Sequence, residues 1–125
     1  MAAAGAHIAG LDVGRPLAYP GYQMGSTAEL DSLVDDCQRR GVECLAFAAD
    51  VRDDTAVSAA VAATVERFGR IDILFNNAGI CGYGLAHELT EDAWDAMIDI
   101  NLKGAWLVAR RVIPHMIRQR SGVGR

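Results

Sequence analysis

Apolar positions along this chain fall into short unbroken runs, separated by stretches with helical spacing. Residues Ala6 to Asp12 (AHIAGLD) read as a buried strand that ends in a carboxylate. Ahead of it, Met1–Ala4 followed by Gly5 has the form of a helix end with its terminal glycine. From Val13 to Gly25, two prolines and three glycines mark a loop, long for an α/β unit. Ser26-Thr27-Ala28-Glu29 fits a capping box, and Leu30, Leu33, Val34 and Cys37 follow at i, i+3, i+4, i+7. Gly41 ends that helix. Glu43 to Ala49 (ECLAFAA) reads as a second strand. Asp53 or Asp54 then caps a helix with the stripe Val57, Ala60, Val61, Val65 and Phe68, closed by Gly69. Ile71 to Phe75 (IDILF) is a third strand running into Asn76-Asn77-Ala78-Gly79. Thr90 is a good N-cap, with Glu91 and Asp92 suited to the first-turn dipole. A helical pattern continues to Gln119, where Gly104 and Pro114 predict a break or kink.

The order strand, helix, strand, helix, strand, helix predicts an α/β fold: a parallel sheet with helices on its faces. Strands apolar along their whole length imply a sheet covered on both sides. Ligands in such folds lie beyond the carboxyl ends of the strands, and Asp12, Asp50 and Asn77 all fall there. The 125 residues, 51% hydrophobic and 22% charged, exclude a disordered chain and suit one domain, 1–125. A net charge of −4 with no basic stripe argues against nucleic acid and against an anionic membrane surface. No apolar run approaches the roughly 18 residues of a spanning helix. The N-terminus lacks the early positive charge of a signal peptide, its first cationic side chain being Arg15. Cys37, Cys44 and Cys81 form no CxxC pair, so reduced thiols and a cytoplasmic location are expected. The histidines lie far apart, so no metal site is expected.

A carboxylate just after a strand, such as Asp12, can accept both hydroxyl hydrogens of an adenosine ribose. The same charge repels a 2′-phosphate and favours NAD over NADP. Asp50 can accept from an adenine amino group while Val51 flanks the ring. Each acid can equally be a loop or capping carboxylate. Small residues at Asn77, Ala78 and Gly79 let backbone approach a ligand closely, although Asn and Gly also form plain turns.

The run Gly69 to Ile80 (GRIDILFNNAGI) closely resembles the NNAG segment of short-chain dehydrogenases/reductases. The strand ending in Asp12, Ala49-Asp50-Val51, and Asp99-Ile100-Asn101-Leu102-Lys103-Gly104 match the family in order and spacing. The resemblance covers essentially the whole chain. It implies that Asp12 holds the adenosine ribose, Asp50 and Val51 flank adenine, and Asn77, Ala78 and Gly79 line the cofactor cleft. It implies that Asn101 is the catalytic asparagine, placed at a helix kink where it holds a water of the proton relay. A helix residue bonding locally to backbone is the alternative. The Pro- and Tyr-rich loop Val13–Gly25 resembles the mycofactocin-linked, carveol-dehydrogenase-like subgroup, whose members oxidise alcohols with tightly held nicotinamide cofactor. Tyr19 and Tyr22 could then cover the adenine end.

Two family features have no counterpart. A phosphate-binding glycine turn would fall about 20 residues before Asp12, ahead of Met1. No tyrosine has lysine four residues on: Tyr19, Tyr22 and Tyr83 are followed there by Gln23, Ser26 and His87. The expectation is a partial Rossmann-type doubly wound sheet holding strands equivalent to the second, third and fourth, as in an N- and C-terminally truncated fragment. With the order 3-2-1-4 the absent strand is the central one. Such a chain should be marginally stable, or close the gap by pairing strands that are not neighbours. The resemblance implies NAD-dependent oxidation of a small alcohol to a ketone, or the reverse, in a parent that is a homo-oligomer. Helix Thr90–Gln119 would contribute to that interface through Trp94 or Trp106, unless these pack in the core. A non-catalytic nucleotide-binding or interaction module is the alternative. A methyltransferase-like domain fits less well, because neither the Asn76–Gly79 run nor Asn101 serves methyl transfer.

Overall fold

A computed structural model describes residues 1–22 and 25–124; Gln23 and Met24, within the expected loop, and Arg125 lie outside the described residues. After a 3-10 turn at Ala2–Ala4, ended by Gly5 at φ 84°, β1 spans Ile8–Asp12. Helix α1 (Thr27–Arg39), β2 (Cys44–Ala48) and α2 (Asp54–Phe68) follow. Then come β3 (Ile73–Leu74), α3 (Glu91–Ile98), a π-helical turn (Asp99–Gly104), α4 (Ala105–Gln119) and β4 (Val123–Gly124).

The helix starts follow the capping chemistry. Ser26 Oγ accepts from Glu29 N–H, and the Glu29 carboxylate accepts from Ser26 N–H at 2.8 Å. Asp53, rather than Asp54, caps α2, accepting from the Thr55 and Ala56 amides. Thr90 caps α3 through Ala93 N–H. Asp54 is thereby released for another role: it pairs with Arg111 and Arg110 of α4 and ties α2 to that helix.

β1 and β2 pair in parallel, from Ile8 opposite Cys44 to Asp12 opposite Ala48. The ladder continues beyond both strands, with Ile8 N–H donating to Glu43 O and Ala49 N–H to Asp12 O. β3 pairs in parallel with β4, which the hydrophobic pattern did not reveal. Strand Ile71–Phe75 is shorter than expected, because only Ile73 and Leu74 find ladder partners. Ile71 instead bonds the Gln119 side chain, donating to Oε1 at 3.0 Å and accepting from Nε2 at 2.8 Å. A side-chain amide there replaces the peptide of a neighbouring strand.

Among the described residues β1 and β3 do not pair, so the sheet stays as two parallel pairs and the gap is not closed by non-neighbour strands. The expected two-sided cover is also incomplete. Ile73 is 53% exposed and Phe75 60% exposed, because no described element lies over that side of β3. The core divides accordingly. One cluster joins Val51, Ile80 and Ile100, with Leu11, Tyr19 and Val108 around it. The other joins Val61 of α2 to Val112 and Met116 of α4. Half-buried Val108 touches both. Pro114 lies inside α4 without ending it, and the irregularity expected at Gly104 is the π turn. No helix among the described residues is long and apolar enough to cross a membrane.

Gly104 closes the π turn at the point where it meets β2's continuation. A Cβ there would lie 2.6 Å from Val51 Cγ2 and 3.1 Å from Val51 Cβ. Gly104→Ala gains about 1 kcal/mol of helix propensity but overpacks a buried contact at a cost of about 1–3 kcal/mol. A lower urea midpoint is expected; an unchanged or higher one would show that Val51 yields freely.

Candidate functional site

Three of the sequence-selected positions gather at the carboxyl ends of β1 and β2 and at the π turn. Asp12 ends β1 with its carboxylate exposed. Oδ1 accepts from Gly14 N–H at 2.8 Å, and no partner of Oδ2 is found among the described residues. Gly25 stands directly against this group: a Cβ there would be 2.9 Å from Asp12 Oδ1 and 3.1 Å from Oδ2. A side chain at position 25 would collide with the carboxylate, and glycine avoids that collision.

Asp50 is engaged differently. Its carboxylate receives the Arg52 guanidinium in a fork, with Nε 3.0 Å from Oδ1 and Nη2 2.6 Å from Oδ2. Arg52 N–H also donates to Oδ1 at 3.0 Å, and Arg15 lies 3.9 Å away. The hydrogen bonds from Arg52 hold the Asp50 carboxyl below its ordinary value of about 3.8, against the opposing effect of partial burial. An adenine amino group would have to compete with Arg52 for these oxygens. Val51 beside it has a buried side chain that packs on Ile80 and Ile100, which leaves its backbone to border the strand ends.

Asn101 lies in the π turn between α3 and α4. Its Oδ1 accepts from Ile80 N–H and its Nδ2 donates to Ile80 O, both at 2.8 Å. The amide thus satisfies both polar groups of one residue in the segment that follows Asn76–Gly79. The extra residue of a π turn shifts side chains relative to a regular helix, a feature frequent at functional sites. It turns Asn101 toward this loop. Gly79 is close packed there, since a Cβ would come 3.2 Å from Asn101 Oδ1. Asn77 and Ala78 are exposed beside it.

The tyrosines of the long loop reach the same segment. Tyr22 Oη accepts from Cys81 N–H at 3.1 Å. Tyr19 joins the Val51–Ile80–Ile100 cluster, and its hydroxyl occupies the space a Cβ on Gly82 would need. Both side chains fasten the loop after β1 to the loop after β3. Sequence reasoning missed Arg52, Gly25 and Ile80. Only Arg52 left a signal, a cation two residues beyond a strand-end acid.

Parallel pairs with helices packed on them, strand-end acids, and a π-turn asparagine fixing the loop after β3 define a Rossmann-type α/β unit. The profile for short chain dehydrogenase matches residues 10–123, and the chain belongs to that family. Oxidoreductase UcpA of Salmonella typhimurium is 48% identical over 94 residues, covering 75% of this chain and 36% of that protein. The (-)-trans-carveol dehydrogenase of Rhodococcus erythropolis is 36% identical over 123 residues, covering 98% of this chain and 44% of the relative. Among solved structures, carveol dehydrogenase from Mycobacterium avium in complex with NAD superposes with a TM-score of 0.94 at 32% identity, over 98% of this chain and 45% of that one. The chain therefore spans less than half the length of these relatives.

Two outcomes follow. Asn101→Ala leaves both backbone groups of Ile80 unpaired, at a cost of about 1–3 kcal/mol each where water cannot replace the lost bonds. Amide exchange at Ile80 should accelerate more than tenfold while the α2 core amides change little; unchanged Ile80 exchange would show that the pair is not formed in solution. The depressed Asp50 pKa contributes stability that is complete above its ordinary value of about 3.8 and is lost as pH falls through the lower, folded value. Asp50→Asn should therefore flatten the stability–pH curve below about pH 4. Parallel curves for parent and variant would contradict the Arg52 fork.

Proposed function

We propose that this chain carries the adenosine-binding and asparagine-bearing part of an NAD-dependent short-chain dehydrogenase that interconverts a small secondary alcohol and its ketone. The observation that carries the reading is Asp12: an exposed strand-end carboxylate whose Oδ2 has no partner among the described residues, with Gly25 adding no side chain against it. A ribose diol fits that acceptor, whereas a 2′-phosphate would meet its negative charge, so NAD is favoured over NADP. The NAD named for the Mycobacterium avium relative supports the same cofactor.

Asn77, Ala78 and Gly79 would border the cofactor cleft, with Asp50 and Val51 at its adenine end. Tyr19 and Tyr22 would close the long loop over it, as in the mycofactocin-linked subgroup that the loop resembles. Bound NAD would supply the hydride acceptor. Asn101 would position the loop through Ile80 and offer its amide to a relay water. Six apolar side chains, Trp94, Ile98, Leu102, Trp106, Ile113 and Ile117, lie exposed along α3, the π turn and α4, which supports a homo-oligomer of the parent protein. The reading includes a cytoplasmic enzyme with reduced thiols and no nucleic-acid or membrane partner.

A second reading rests on one observation. No tyrosine here is followed by lysine four residues later, so the family's acid–base pair has no counterpart in these residues. The chain alone would then bind nucleotide without turning it over.

Calorimetric titration separates the two nucleotides. NAD should bind at least tenfold more tightly than NADP, and Asp12→Ser should remove the preference. Equal affinities in the parent chain would remove Asp12 from the site. With NAD and a panel of secondary alcohols, absorbance at 340 nm should stay flat; turnover would discard the non-catalytic reading of the isolated chain.

A further inference from the structure

A groove of about 520 Å³ runs between α2 and α4, on helix faces away from the strand-end site. Val61, Ala62, Val65 and Pro114 form its apolar part. Arg110, Arg111, His115 and Arg118 line the α4 side, with Ser58 and Glu66 on the α2 side.

The cations are unequally neutralised. Arg111 is held by Asp54 in a two-point pair, and Arg110 lies 3.6 Å from the same carboxylate. Arg118 has no carboxylate within ion-pair distance among the described residues; its Nη2 lies 2.8 Å from His115 Nδ1. Guanidinium can only donate, so the imidazole nitrogen is the acceptor in this contact. Three guanidiniums thus meet two carboxylates, Asp54 and Glu66, and the groove stays positive on a chain of net charge −4. An anion that paired with Arg118 would supply the negative charge, and the two-point acceptor, that imidazole cannot.

We propose that this groove binds a small amphipathic anion, a carboxylate with a short apolar tail. The carboxylate sits between Arg118 and Arg110, and the tail lies over Val65 and Pro114. Charge complementarity selects the head, and the apolar floor selects against a bare inorganic ion. The site is separate from the proposed nucleotide site and does not depend on it.

The protein carries its own reporter. The Arg110 guanidinium carbon stands 4.8 Å from the Trp106 ring centroid, so drawing Arg110 toward an anion alters the surroundings of that indole. The chain has two tryptophans, and exposed Trp94→Phe leaves Trp106 alone. Titration of the Trp94→Phe chain with octanoate should change Trp106 emission saturably in the millimolar range. Adding Arg118→Gln, with the fold checked by far-UV circular dichroism, should weaken the apparent affinity at least fivefold. Acetate and 1-octanol should each fail to saturate at the same concentrations. The proposal is overturned by a linear octanoate response or by equal affinity after Arg118→Gln. Saturation by octanol would remove the anion, and saturation by acetate would remove the apolar floor.

Discussion

The pairing of Asn101 with Ile80 is the constraint on which the ligand-facing end of the molecule depends. A loop following a strand has backbone polar groups with no ladder to join, and leaving them unpaired when buried is costly. Here Ile80 is buried, and its N–H and C=O both go to one side-chain amide. That satisfaction lets the Ile80 side chain enter the cluster with Val51 and Ile100. The next residue, Cys81, gives its N–H to Tyr22. The π turn, the loop after β3 and the loop after β1 are joined through two neighbouring peptide units.

The helix that supplies Asn101 must depart from regular geometry to do so. A regular helix through Asp99–Gly104 would advance the side chains by 3.6 residues per turn, while the π turn retards them and shifts the asparagine along the helix face. Gly104 permits the resulting close approach to Val51, where a methyl group would collide. Asp54 and Arg111 hold the next stretch of α4 against α2, so the π turn is braced on its C-terminal side. A polar constellation is thereby fixed by packing at one end of the helix and an ion pair further along it.

Much of this was legible in local chemistry. Ser26, Asp53 and Thr90 begin their helices because their oxygens meet free amides, a rule that acts over three residues. The parallel pairing of β1 with β2 follows from the helix between them. What could not be read were relations across the chain. β4 has only two residues and no hydrophobic signature. Gln119 serves as a stand-in strand neighbour for Ile71 from 48 positions away. Trp94 and Trp106 are exposed despite sitting on an amphipathic helix, since burial depends on what covers a face and not on its spacing. Asp50 illustrates the same limit. Its position after a strand suggested a ligand acceptor, but the Arg52 two residues on takes both oxygens.

The uncovered apolar residues and the two separate sheet pairs have one physical origin. A parallel strand needs neighbours on both edges and cover on both faces to bury its backbone and side chains. Among the described residues β1 has a neighbour on one edge only, and so does β3; the face of β3 that bears Ile73 and Phe75 is exposed. Helix-to-helix contacts of α2 with α4 and the Val51–Ile80–Ile100 cluster therefore add to what the β1–β2 pair and α1 bury. Val108 links those two clusters from a single turn of α4, so the helix bearing Asn101 at its π turn is also the element that makes one core out of two.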